Sequence, residues 1–71
     1  MVAGGVYRYE VRLVEELSET ARWAFPGLEI HREGDHTVLT GEVVDVTELR
    51  SLIDRLLLMG FTLVALHRLP R

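Results

Sequence analysis

The stretch from Asp45 to Leu69, DVTELRSLIDRLLLMGFTLVALHRL, constrains the fold of this chain more than any other. It reads as a capped amphipathic helix, a glycine stop and an apolar strand. Asp45 is placed to cap the first turn, with Glu48 three residues on as the acidic partner of a capping box. Val44 and Leu49 sit where a hydrophobic staple closes the entry. At about 100° per residue, Val46, Leu49, Leu52, Ile53, Leu56 and Leu57 form one stripe, with Glu48, Arg50, Ser51, Asp54 and Arg55 opposite. Burying each large side chain of that stripe gives roughly 1.5–3 kcal/mol before chain entropy is subtracted. Gly60 suits the left-handed residue that ends a helix, and Phe61 folds back onto Leu56 in a Schellman cap. Leu58 breaks the pattern, a leucine in the middle of the polar face. Such a residue is either ordinary exposed apolar surface or the mark of a contact with another chain.

The upstream residues supply the surface this unit packs against. Residues 1–5 read as a disordered N-terminus, because Gly4-Gly5 offers nothing to pack. From Val6 the pattern alternates, with Tyr7, Tyr9, Val11 and Leu13 on one face and Arg8, Glu10 and Arg12 on the other. A short helix follows, with Ser18 as its cap and Leu17, Ala21, Ala24 and Phe25 at helical spacing, ending at Pro26-Gly27. Trp23, at the edge of that stripe, is expected to shield the rim of the core; the alternative is an interface or pocket aromatic. Leu28 to Arg32 and His36 to Val44 form a hairpin over Gly34-Asp35. The pairing places Glu33 opposite His36, His31 opposite Val38, Ile30 opposite Leu39 and Leu28 opposite Gly41. This register segregates Leu28, Ile30, Leu39 and Val43 onto the core face, and a one-residue slip destroys that segregation.

In the last strand an unbroken alternation puts Phe61, Leu63, Ala65 and Leu69 on one side and Thr62, Val64 and Leu66 on the other. Both sides are apolar, and in a two-layer domain one of them faces water. The expected architecture is α+β: a ferredoxin-like β-α-β-β-α-β two-layer sandwich over residues 6–69, a four-stranded antiparallel sheet with two helices on one face. The first and third strands are central.

Composition narrows the function classes. A chain of 71 residues holds one small domain, and the absence of cysteine removes disulfides and thiolate metal sites. A net charge of −3 disfavours nucleic acid as a partner, since such binding rests on neutralising phosphates. No apolar run spans a membrane and no leader pattern opens the chain, so a cytoplasmic protein is expected. His31 and His36 share the open face near the hairpin tip, but exposed tip residues are poorly braced metal ligands. No carboxylate pair, no serine or threonine beside a histidine and no glycine-rich phosphate loop is present, so no catalytic, cofactor or metal residue is assigned. The polar groups on the open face are Arg8, Glu10, Arg12, His31 and Thr40, without the aromatic platform of RNA-recognition domains.

The runs FPGLEI, TVLTGEVVD and ELRSLIDRLLLMGFTLVAL resemble a group of short bacterial proteins of actinobacterial type and unknown function. In that group an F-P-G-L turn precedes a hairpin, and a T-x-L-x-G-x-V-x-D segment leads into a helix ending in Leu-Gly. The resemblance runs from about Tyr7 to Leu69, with Met59 in place of the leucine before Gly60. Phe25, Pro26, Gly27, Leu39, Gly41, Asp45, Leu49 and Gly60 carry it, and turns, caps and core account for all of them. It implies a self-contained domain and no particular activity.

The leading expectation is therefore a non-enzymatic interaction or regulatory domain that self-associates, a dimer first, through Leu58, Thr62, Val64 and Leu66. One alternative is a regulatory domain binding a small molecule between subunits, although the turn after the first strand, Val14 to Leu17, lacks the glycines of such sensors. The other is an enzyme of the dimeric α+β barrel type, with Arg8, Glu10, Arg12, His31 and Thr40 lining its pocket.

Overall fold

A computed structural model describes residues 7–70, so the N-terminal segment read as disordered lies outside the described residues. The elements are β1 (Tyr7–Leu13), α1 (Glu19–Arg22), β2 (Glu29–Glu33), β3 (His36–Val43), α2 (Val46–Leu58) and β4 (Leu63–Leu69). They form an α+β fold with one four-stranded sheet of order β2-β3-β1-β4, in which every neighbouring pair is antiparallel. The first and third strands are central, as expected. Val11, Leu13 and Leu39 from the sheet meet Leu17, Ala21 and Phe25 from the first helical segment and Leu56 from α2 in one buried cluster. Both helical segments therefore cover the same side of the sheet.

The hairpin has the anticipated register, with Glu33 opposite His36, His31 opposite Val38 and Ile30 opposite Leu39. Gly34 takes φ 60° while Asp35 stays at negative φ, which is what a type II′ turn requires. Leu28 lies just before the ladder, yet it still meets Gly41. A Cβ at residue 41 would run into the Leu28 side chain, so the missing side chain is what permits this contact.

The ends of α2 also follow the sequence. The Asp45 carboxylate accepts from the Glu48 backbone N–H at 2.8 Å. At the other end Gly60 adopts φ 91°. Its N–H donates to the Leu57 carbonyl at 3.0 Å, and that of Phe61 to the Leu56 carbonyl at 3.1 Å. These are the two bonds of a Schellman motif, and Phe61 packs back onto the core.

Three expectations change. The first helix is a single turn: Ser18 caps it through the Ala21 N–H at 3.1 Å, and α1 ends at Arg22. Beyond it the chain tightens, since the N–H groups of Ala24 and Phe25 bond the carbonyls of Ala21 and Arg22, three residues back. Trp23 is consequently 85% exposed and does not shield the core. In α2 only Leu56 is fully buried, whereas Val46 and Leu57 stand exposed at the margin of the stripe.

The third change is in β4. Ala65 pairs with Arg12 and Leu66 with Val11, but Leu63 pairs with Leu13, which leaves Val64 as an extra residue. That bulge breaks the alternation. Residues directly opposite share a face, so Leu63 and Leu66 lie on the helix side with Leu13 and Val11. Ala65, His67 and Leu69 lie on the open side with Arg12, Glu10 and Arg8. The placement of Leu66 on the open side with Thr62 and Val64, and of Ala65 and Leu69 on the core side, is thus corrected: one extra residue inverts every side chain beyond it.

Candidate functional site

The open side of the sheet is built by the outward positions of all four strands. Register brings Arg8 opposite Glu42, Glu10 opposite Thr40, and both Arg12 and His31 opposite Val38, so the five expected polar residues do share one face. The cationic and imidazole groups among them meet carboxylates. Arg8 donates to Glu29 at 3.0 Å, and Arg12 bonds Glu10 at 3.0 Å and also Glu33. The Arg12 hydrogen bond holds the Glu33 carboxyl below its ordinary value, and the two carboxylates raise that of Arg12 in return. His31 Nε2 lies 3.8 Å from Glu33. Beneath this lattice Val38 is fully buried although it faces away from the helices.

The arginines are thus engaged by side chains of their own sheet rather than aimed at an open cavity. Glu29 and Glu33 complete the lattice. They were legible from the same alternation that placed His31, because all three are odd-numbered residues of β2. No three His, Asp or Glu side chains among the described residues are grouped to hold a metal ion. Tyr7 and Tyr9, opposite Val43 and Gly41, belong to the helix side.

A second polar assembly ties the turn after β1 to the entry of β4. The Glu15 carboxylate accepts from the Thr62 backbone N–H and hydroxyl, both at 2.7 Å. These bonds, the backbone one foremost, pull the Glu15 carboxyl below its ordinary value. The Val14 N–H donates to the Thr62 carbonyl at 3.1 Å. Thr62 is therefore engaged at both backbone groups and at its hydroxyl. Nearby, the buried Thr37 hydroxyl donates to the Glu15 carbonyl at 2.6 Å and accepts from Arg32 at 2.9 Å.

A cleft of about 290 Å³ lies between the Pro26-Gly27 turn and α2, with Leu28, Glu48 and Leu52 in its walls. Arg55 spans it, donating to the Ala24 carbonyl at 2.8 Å and lying 5.6 Å from the centre of the Phe25 ring. The Arg55 bond and ring contact brace α2 against the turn.

Exposed apolar residues collect along β4. Leu63, Val64 and Leu66 are exposed, Leu66 at 40%, and Leu57 of α2 stands out on the same side of the sheet as Leu63 and Leu66. Leu58, the next residue of α2 and about 100° further round it, is 88% exposed. Of the four residues expected at an interface, Val64 and Leu66 therefore sit on one strand, Thr62 is held by Glu15, and Leu58 lies apart. Sequence alternation passed over Leu63 and Leu57, because it assigned both to the core.

Fold and surface together define a small α+β domain with an ion-paired open sheet face and apolar residues exposed along one edge strand. No described helix is long and apolar enough to cross a membrane. A family model matches residues 8–67, and the chain belongs to that family, described as Domain of unknown function (DUF8691). No curated protein and no solved structure is significantly similar to it.

Proposed function

We propose that the protein is a non-enzymatic interaction domain of the bacterial cytoplasm that works by self-association, with a dimer as the basic unit. The strand order β2-β3-β1-β4, with two β-α-β connections and the helices on one side, is read here as a ferredoxin-like sandwich. The observation that carries the reading is the exposure of Leu63, Val64 and Leu66 on a strand at the edge of the sheet. Exposed apolar residues grouped on an edge strand are a liability for an isolated domain and a use for an associating one. The correction in facing moves Leu66 to the helix side without removing it from solvent.

The ligand-sensing and barrel-enzyme readings draw less support. The sensor reading needs glycines in the turn after β1, and Val14 to Leu17 has none. The barrel enzyme needs free polar groups on the open face, and there the arginines are engaged by Glu10, Glu29 and Glu33. The test is solution mass against concentration for the native chain and for Leu66→Arg. The native protein is expected to associate, and the variant, folded by circular dichroism, to shift toward monomer. A variant that associates as the native chain does would remove Leu66 from the contact.

A further inference from the structure

We infer that the outer edge of β4 pairs antiparallel with β4 of a second copy, with His67 on the two-fold axis, joining two sheets into one of eight strands. This rests on the self-association reading and gives it a geometry.

The two edges of the sheet differ in kind. The β2 edge reads EIHRE, in which Ile30 is the one apolar residue; the β4 edge reads LVALHRL, with no carboxylate, no proline and Arg68 as its one full charge. Charged side chains, lysine above all, are the usual protection of an edge; here there is no lysine, and the one charge, Arg68, is drawn over the Tyr7 ring, 4.8 Å from its centre. The backbone N–H and C=O groups along the outside of β4 find no strand among the described residues. Their natural complement is another extended chain.

A second copy of β4 supplies such a chain, and symmetry then selects the register. Two antiparallel copies of one strand are related by a two-fold axis perpendicular to the sheet, which keeps both helix sides together. Opposed residues must share a face, so the axis passes beside a residue and not between two. Regular β4 runs from Ala65 to Leu69, bounded by the bulge at Val64 and by Pro70. Centring on His67 pairs Ala65 with Leu69 and Leu66 with Arg68, each on a common face. It also places Val64 against Pro70, so that the two irregular positions meet outside the ladder. Centring on Leu66 would oppose Arg68 to the bulge and helix-side Leu63 to open-side Leu69. Centring one residue beyond His67 would oppose Leu66 to Pro70, which has no N–H to give.

The absence of cysteine makes the geometry measurable by single-cysteine crosslinking in the full chain. His67, Leu66, Leu58 and His31 are all exposed, so their cysteine variants keep the fold. With His67→Cys the pairing holds two thiols together, and oxidation should link the dimer at least about tenfold faster than with Leu58→Cys or His31→Cys. A protein that associates yet links best as the Leu58→Cys or His31→Cys variant overturns edge pairing and leaves self-association standing. Faster linking through Leu66→Cys than through His67→Cys overturns the axis position. A protein that is monomeric at every concentration overturns both the pairing and the reading beneath it.

Discussion

At Gly41 one methyl group decides whether β3 and the turn before β2 can touch. A Cβ there would collide with the end of the Leu28 side chain, which is itself half-buried. Gly41→Ala is therefore expected to displace that side-chain end and to cost about 1 kcal/mol, the low end of the overpacking range, in a urea-unfolding comparison. In a Leu28→Ala background the same change should cost clearly less, because the obstructing atoms are gone. Equal costs in the two backgrounds would mean that the contact is not what selects glycine. Glu15 makes a pH prediction at the same scale. Its carboxyl is held below the ordinary value of 4.5 by the Thr62 bonds. A group whose folded value is depressed adds stability above its unfolded value and loses it as pH falls through the folded one. The urea midpoint of the native protein should thus fall on acidification below that ordinary value, and Glu15→Gln should flatten the fall. A variant with an unchanged acid profile would show that the Glu15–Thr62 bonds carry no linkage.

Among the elements, α2 was the most legible and β4 the least. Asp45, Gly60 and Phe61 act through backbone bonds within a few residues of themselves, so their roles could be read locally. Gly60 at φ 91° occupies the left-handed region, and Gly60→Ala should lower stability by roughly 1–2 kcal/mol in thermal or chemical unfolding. No change would place the end of α2 outside the cooperative unit. The hairpin register was legible for a related reason, since its turn and its segregated faces agree. The facing of β4 was not, because it depends on a bulge against β1. That irregularity is a matter of pairing between distant strands, and LVALHRL carries no glycine to announce it. The one-turn α1 escaped for the opposite reason: Ala21, Ala24 and Phe25 keep helical spacing although the backbone has tightened to bonds three residues apart. Of the candidate site, the shared face of Arg8, Glu10, Arg12, His31 and Thr40 was visible in alternation. Their capture by neighbouring carboxylates needed the lateral order of the strands.

For the whole molecule, the two faces and two edges of the sheet divide the roles. One face is packed under the helices and the other is laced by ion pairs. The β2 edge is charged, and the β4 edge is mostly apolar, with Arg68 as its one full charge and no strand beside it among the described residues. The central claim is that this edge makes the protein associate. Sedimentation equilibrium from micromolar to millimolar protein tests it most directly. A species of twice the 8.1 kDa chain mass, its population rising with concentration, is the predicted result. A mass of 8.1 kDa across the whole range would contradict it.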